Sequence, residues 1–238
     1  MNAHPRLSEL AAPVTEISVA GERAQCDRSG ALYFPESGLL CVSDLHLEKG
    51  SSLARRGILV PPYDTAATLI RLRTIVDRYR PRIVISLGDS FHDGDGAARL
   101  PDPIRAELVS LMRGRDWFWV AGNHDPQAPA GLPGDTVKTL AVGGLLFRHE
   151  PSAQPARGEI AGHLHPCARI VQRGLSVRRR CFASDGTRLV MPAFGAYTGS
   201  LNVLDRAYKG LFRREGLMAY MIGTERVFAI GGGRLLPG

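Results

Sequence analysis

The chain has 238 residues, 44% of them hydrophobic, which predicts a globular protein whose core needs no disulfide support. It lacks any run of about 18 apolar residues, so neither a transmembrane helix nor a membrane role is expected. The formal net charge of +7 favours polyanionic partners such as nucleic acid. Only three of the 30 basic residues are lysines, however, and genome base composition would also explain that excess of arginine.

The N-terminus is polar and carries no apolar signal segment. We therefore expect residues 1–13 to form a flexible arm and residues 14–238 to form one domain in the cytoplasm. The cysteines lack CxxC or zinc-finger spacing, so buried free thiols are expected at Cys26, Cys41, Cys167 and Cys181.

Strands and helices alternate in the first half of the chain. Two or three short strands are predicted between Glu16 and Phe34, with a turn at Ser29-Gly30. Short apolar runs predict three buried strands at residues 38–43, 82–87 and 117–121. Helical spacing predicts a helix that Asp64 caps, and a second helix within residues 101–115.

The second half of the chain is mostly β in character. Strand-like runs recur at residues 144–148, 159–162, 168–171, 179–184, 189–191, 217–222 and 226–230. Helical patterning is sparse among them. The whole pattern predicts an α/β sandwich that contains a mixed sheet.

Polar motifs follow the three buried strands of the first half. Asp44-Leu45-His46 follows the first strand, Gly88-Asp89 the second, and Gly122-Asn123-His124-Asp125 the third. Carboxylate, amide and imidazole groups together suit Mn, Fe or Zn. Taken singly, each motif is more typical of an ordinary turn or a structural residue.

Two further histidine motifs follow strands of the second half. His149 ends a strand-like run, and Gly162-His163-Leu164-His165 places two imidazoles on one face of an extended segment. Six of the seven histidines therefore lie in compact motifs or directly after a predicted strand. Because all five motifs occur together in one chain, we predict a metal centre in place of five unrelated turns.

The ordered set of motifs resembles the calcineurin-like metallophosphoesterase superfamily over about residues 38–166. The resemblance implies a four-layer α/β/β/α sandwich, in which helices flank two mixed β-sheets. It also implies two divalent metal ions, for which Mn is the first choice while Fe and Zn stay possible. The implied ligands of one ion are Asp44, His46, Asp89 and His165. Those of the other are Asp89 as a bridge, Asn123, His149 and His163, and His124 is the implied catalytic histidine.

Two such cations would clamp a phosphate and lower the pKa of a bridging water, whose hydroxide attacks phosphorus while His124 assists the leaving oxygen. Phosphoprotein phosphatases of the superfamily carry an aspartate where this chain has His92. The string Gly88–His92 instead resembles the nuclease subunit of the double-strand-break repair complex. We therefore predict that His92 is a functional partner of His124.

Longer strings resemble one bacterial branch, the ligase-associated DNA damage response endonucleases (the PdeM family). The matching strings are SDLHLEKG (43–50), LGDSFHD (87–93), GNHD (122–125), GHLHP (162–166) and MPAFGAYTGSLNV (191–203). This resemblance implies an endonuclease of DNA repair. It also implies an ATP-dependent DNA ligase and a helicase as partners.

Clustered arginines are candidate phosphate contacts. We assign that role to Arg55, Arg56, Arg178, Arg179 and Arg180, and a plain solvated surface is an equally good interpretation of any single cluster. Two other functions stay open. One is hydrolysis of a nucleotide or another small phosphodiester, and the other is a metal-binding scaffold without catalysis, which the complete ligand set disfavours.

Overall fold

Two mixed β-sheets make up most of the computed structural model, which describes residues 14–238. The flexible arm predicted for residues 1–13 lies outside the described residues. Within the described part of the chain, no helix is both long enough and apolar enough to span a bilayer.

The first sheet has seven strands that follow one another in chain order. They are β1 (Val14–Val19), β2 (Glu22–Asp27), β3 (Leu32–Phe34), β4 (Leu39–Val42), β5 (Ile83–Leu87), β6 (Asp116–Val120) and β7 (Asp135–Val137). Strands β1 to β4 pair antiparallel, whereas β4 to β7 pair parallel. The predicted strands of the first half are therefore confirmed.

Helices accompany the parallel part of the first sheet. They are α1 (Lys49–Arg55), α2 (Asp64–Tyr79), α3 (Gly96–Arg99) and α4 (Asp102–Met112). Helices α2 and α4 confirm the two predicted helices, while α1 and α3 were not predicted. The capping role predicted for Asp64 is wrong, because Tyr63 occupies the N-cap position and the Asp64 carboxylate accepts a hydrogen bond from the Gly50 amide, at 3.0 Å.

The second sheet is built from the later strands. They are β8 (Thr139–Val142), β9 (Leu145–Arg148), β10 (Glu159–Ala161), β11 (Pro166–Gln172), β12 (Leu175–Ser184), β13 (Leu189–Val190), β14 (Leu201–Asn202), β15 (Met218–Ile222) and β16 (Val227–Gly231). Its order is β14-β11-β12-β13-β10-β9-β8, with β15 and β16 added through β12. The parallel pairs β9–β10 and β10–β13 make this sheet mixed as well.

Side-chain alternation along the strands builds three apolar layers. In β4, Leu39 and Cys41 point into the core between the sheets, whereas Leu40 and Val42 pack with the residues of α2 and α4. In β12, Phe182 points into the same inter-sheet core, while its neighbours pack on the outer face of the second sheet. Short 3-10 helices at Arg206–Tyr208 and Gly232–Arg234 lie in the outer region of the second sheet.

The predicted α/β sandwich with two mixed sheets is thus confirmed. All four cysteines are free and buried, as expected for structural thiols. Because β4, β5 and β6 are parallel neighbours, the loops after them leave the sheet at the same edge. The three polar motifs of the first half occupy those loops.

Candidate metal centre

Loops after β4, β5, β6, β9 and β10 converge at one place between the two sheets. They bring together all seven residues predicted as metal ligands: Asp44, His46, Asp89, Asn123, His149, His163 and His165. The structure divides them into two neighbouring groups.

The first group contains Asp44, His46 and His165, whose ligand atoms lie within 4.8 Å of one another. The Nε2 atom of His165 is 3.2 Å from Oδ1 of Asp44 and 3.4 Å from Nε2 of His46. Asp44 is fully buried and His46 nearly so. The three side chains therefore aim a carboxylate oxygen and two ring nitrogens at a common point.

The second group contains Asp89, His149 and His163, with Asn123 beside them. The side-chain oxygen of Asn123 lies 2.9 Å from Nε2 of His149 and 2.9 Å from Nδ1 of His163. Those two ring nitrogens are 3.2 Å apart. This group also presents only oxygen and nitrogen atoms to its centre.

Asp89 joins the two groups. Its Oδ2 atom is 3.4 Å from Nε2 of His149 in the second group and 3.9 Å from Nε2 of His46 in the first. Its Oδ1 atom accepts a hydrogen bond from the His124 amide at 2.9 Å. One carboxylate oxygen is thus free to face both groups at once.

Two cations fit this constellation better than protein contacts alone. Oδ1 of Asp44 is buried and accepts no hydrogen bond, although a buried carboxylate oxygen normally has a partner. Within each group, two ring nitrogens also face each other, and in each such pair only one nitrogen can be a donor to the other. A cation in each group would satisfy these atoms, and mixed nitrogen and oxygen ligands suit Mn, Fe or Zn.

Strong electrostatic coupling accompanies the clustering. Burial opposes charge on His149, yet the hydrogen bond to Asp89 and the charges of Asp44 and Asp89 raise its pKa to about 9. Burial alone would raise the pKa of Asp89, but the hydrogen bond and charge of His149 outweigh it and lower that pKa to about 2. Burial dominates at His46 and lowers its pKa to about 4.

Five of the seven candidate ligands have left-handed backbone conformations that non-glycine residues seldom adopt. Their φ angles are 53° at Asp44, 44° at His46, 47° at Asp89, 67° at His163 and 45° at His165. Such residues each cost on the order of 1 kcal/mol or more and persist only where the surroundings fix them. Backbone hydrogen bonds from Asp44 to Gly88 and from His46 to Asp89 supply part of that support.

Glycines give the loops room to approach one another. A Cβ atom at Gly162 would overlap Oγ of Ser43 and lie 2.7 Å from Oδ2 of Asp44. A Cβ atom at Gly122 would overlap the backbone nitrogen and Oδ1 of Asp89. Both glycines belong to the predicted motifs, and the close approach they permit is what allows the ligand groups to meet.

The two predicted catalytic histidines lie side by side at the rim of the centre. The rings of His92 and His124 stack with centroids 5.1 Å apart and an interplanar angle of 23°. Nδ1 of His124 is 2.9 Å from the backbone oxygen of His92, so this nitrogen donates and Nε2 faces Oδ2 of Asp89 at 3.9 Å. The main chain of His92 therefore sets the orientation of His124.

Two supporting residues were missed from the sequence. Ser43 donates a hydrogen bond of 2.5 Å to Oδ2 of Asp44. Asp125 is buried and its Oδ2 accepts from the Phe91 amide at 3.0 Å, which anchors the loop after β5. Burial raises the pKa of Asp125 to about 7. Both residues adjoin predicted ligands or catalytic residues, and that adjacency was the available signal.

The segment Met191–Val203, singled out by its sequence, supports the centre from outside. The amides of Phe194 and Gly195 donate to the backbone oxygens of Ser43 and Asp44, and the Leu201 amide donates to His165. On its other side, the guanidinium groups of Arg71 and Arg180 donate to the carbonyls of Phe194 and Ala193. The segment thus separates these arginines from the ligands.

The arginines predicted to contact substrate occupy two different places. Arg55 and Arg56 are exposed at the end of α1. The pKa of His92 is lowered mainly by burial and by the charge of Lys49, and the charge of Arg56 makes a smaller contribution. Arg178, Arg179 and Arg180 lie on β12 and line cavities that contain none of the candidate ligands. The structure therefore does not bring this second cluster into the metal centre.

Comparison with known proteins agrees with this geometry. The sequence model of the calcineurin-like phosphoesterase family matches residues 38–178, and this chain belongs to that family. It is a metal-dependent phosphoesterase. No curated protein shows significant sequence similarity to it.

Among solved structures, the chain is similar to nuclease MPE of Pseudomonas putida, with 25% identity and a TM-score of 0.70. That match covers 91% of this chain and 100% of the other. The phosphoesterase Yfce from E. coli matches at 14% identity and a TM-score of 0.41, covering 81% of this chain and 98% of the other.

Replacing Gly162 by alanine is expected to disrupt the metal centre, because the added Cβ would overlap Ser43 and push against Asp44. We expect Mn²⁺ affinity, measured by calorimetry, to fall by about tenfold or more. Gly233→Ala is the control, since a Cβ there meets nothing within 4 Å. Equal affinity in the two variants would contradict the close-approach role of Gly162.

Metal binding is expected to release protons. A coordinating imidazole must be neutral, whereas the pKa of His149 in the metal-free protein is about 9, so this side chain is protonated at pH 7. Mn²⁺ affinity should therefore rise with pH up to about 9 and then level off. Titrations at pH 7 in buffers of different ionisation enthalpy should differ in heat, and identical heats would contradict the prediction.

Proposed function

We propose that this phosphoesterase is a DNA endonuclease of a repair system, which hydrolyses phosphodiester bonds with two divalent cations, Mn²⁺ being the first choice. The observation that carries the proposal is the stacked pair His92 and His124 beside a complete two-group ligand set. A histidine occupies the position where phosphoprotein phosphatases of this family carry an aspartate. The structural similarity to a protein described as a nuclease supports the same substrate class.

In this proposal each ligand group holds one cation. Asp44, His46 and His165 would hold the first, and Asn123, His149 and His163 would hold the second, with Asp89 lying between the two groups. Two cations held there would supply Lewis acidity toward a phosphate ester and toward water. The protein contributes fixed ligand directions, because the left-handed loops and their hydrogen bonds leave little freedom for rearrangement.

His124 is proposed to serve the leaving group. Its Nδ1 proton is committed to the carbonyl of His92, so any second proton is carried on Nε2, which faces the centre. A protonated imidazole at this place neutralises charge that develops in the transition state and donates to the departing oxygen. The side chain is 39% exposed, and a polymer can therefore approach it.

His92 is proposed to influence the protonation of His124, against which its ring stacks. Its imidazole stacks on His124, and burial together with the charges of Lys49 and His124 lowers its pKa. The neutral ring excludes water from one face of His124 without competing for its proton. The nearby charges of Lys49 and Arg56 are suited to the phosphates that flank a scissile bond, and we assign Arg55 to the same rim.

The biological setting is part of the proposal. Residues 191–203 carry the string that resembles the ligase-associated DNA damage response endonucleases, and the structure supports a bracing role for that segment. We propose that the enzyme acts in the cytoplasm on damaged DNA, with an ATP-dependent DNA ligase and a helicase as partners. The basic net charge of +7 favours such a polyanionic substrate.

The central test compares cleavage of linear, nicked and circular DNA with turnover of a small aryl phosphodiester in the presence of Mn²⁺. Wild type is expected to cleave DNA, and Asp89→Asn is expected to lose at least about 10²-fold in both assays, because the shared carboxylate is weakened. Asp77→Asn, an exposed position on α2, is the matched control. Aryl-ester turnover without any DNA cleavage would instead indicate a small phosphodiester substrate.

Removing the His92 ring tests its partnership with His124. His92→Ala keeps the backbone carbonyl that orients His124, so we expect an intact metal centre and a kcat on DNA about tenfold lower. The aryl ester has a better leaving group and should lose less. The pH dependence of kcat should shift as well, since the neighbour of His124 has changed. Equal losses on both substrates, with an unchanged pH profile, would indicate a merely structural role.

A further inference from the structure

A second, strongly basic region lies away from the metal centre, where β12 and β15 meet the N-terminal part of the first sheet and α2. Three cavities of about 250, 380 and 470 Å³ occur there. The first two share Arg180, Gly223 and Thr224 in their walls, and the second and third share Arg179 with the same Gly223 and Thr224. The three cavities therefore adjoin one another around Gly223 and Thr224, and we treat them together as one surface groove.

Arginine dominates the walls of this groove. The eight lining arginines are Arg28, Arg71, Arg78, Arg178, Arg179, Arg180, Arg226 and Arg234. We call this surface the arginine groove. Among the described residues that line it, the only carboxylate is that of Asp27, which is 1% exposed and already accepts from Arg78 at 2.8 Å and from the Tyr79 hydroxyl. The groove thus carries a large excess of positive charge.

The excess of positive charge is greatest around Arg71 and Arg180. Both are partly buried, and their hydrogen bonds within the protein go to the backbone carbonyls of Phe194 and Ala193. Burial and the charge of Arg180 lower the pKa of Arg71 to about 10, so it stays protonated at neutral pH. Within residues 14–238 neither guanidinium has a carboxylate partner, and two half-buried cations of like charge are costly unless an anion binds between them.

We propose that the arginine groove binds the phosphates of a nucleic-acid strand and holds it while the metal centre acts elsewhere on the same substrate. This inference rests on the proposed function, which supplies the polymer. Successive cavities with arginines in each suit a chain of phosphates better than a single phosphate ion, which would need only one. Phe228 is the only aromatic residue that residues 14–238 contribute to the walls, so the groove offers phosphate contacts with little base stacking.

The segment 193–195 lies between this groove and the metal centre and makes hydrogen bonds to residues of both. Its carbonyls accept from Arg71 and Arg180, and its amides donate to Ser43 and Asp44 in the ligand loop. A strand held in the groove therefore lies on the far side of this segment from Asp44. The groove would add affinity and orientation without sequence specificity, as phosphate contacts do.

Binding of labelled oligonucleotides, measured by fluorescence anisotropy with EDTA and no added metal, tests the inference. The variant Arg28→Glu/Arg178→Glu reverses two exposed charges whose hydrogen bonds go only to the carbonyls of Thr224 and Ser200. We expect about tenfold or greater loss of affinity, and a salt dependence shallower by about 0.7–0.9 per lost phosphate contact. Arg23→Glu/Arg113→Glu makes the same charge change outside the groove and is the matched control.

Equal affinity in the variant and the control would overturn the proposal, because net charge alone would then explain binding. Displacement of the oligonucleotide by inorganic phosphate at equal phosphate concentration and ionic strength would also overturn it, in favour of a free-anion site. If the reversed variant fails to melt cooperatively, Arg28→Gln/Arg178→Gln provides the same comparison. Since binding is measured without metal, a failed cleavage assay would count against the nuclease proposal alone.

Discussion

The carboxylate of Asp89 is the point on which the rest of the centre depends. One oxygen is held by the His124 amide, and the other faces imidazoles of both ligand groups, so its position fixes the spacing between them. A buried carboxylate of this kind is stable only because His149 lies beside it and lowers its pKa. Both ligand groups and His124 are therefore positioned by reference to one side chain.

Holding that side chain requires backbone that would be unfavourable elsewhere. The loops after β4, β5 and β10 contain five candidate ligands with positive φ, a conformation that aspartate and histidine adopt more often than most residues but still seldom. The surrounding structure supplies the stabilisation: Ser43 and Asp125 hold side chains and loops from within, and residues 191–203 hold two ligand loops from outside. Contacts from the surrounding structure thus offset the strain of the left-handed backbone at the centre.

The candidate metal centre and the proposed strand-binding groove occupy separate places. The candidate metal centre presents oxygen and nitrogen ligands, with Lys49 and Arg56 near its rim, while the arginine groove is lined by eight arginines and by none of the candidate ligands. The segment 193–195 touches both, through its amides on one side and its carbonyls on the other. Such an arrangement lets a polymer be held by charge without placing arginines among the cations, where like charges would repel.

The sequence by itself determined most of the strands, two of the helices and the seven candidate ligands that converge, because apolar periodicity and strand-end polar motifs are local features. The short strands β7, β8 and β14 were not predicted. Parallel pairing of β4, β5 and β6 follows from their alternation with helices, and it places the motifs at one edge. Only the tertiary structure decided that the backbone of His92, in addition to its ring, orients His124. The tertiary structure also decided that Arg178, Arg179 and Arg180 lie in the arginine groove and not beside the candidate ligands. In that groove β12 meets Arg28 and Arg71, which are more than 100 positions away in the sequence. Long-range packing sets which surface a strand residue shares, and no local pattern encodes it.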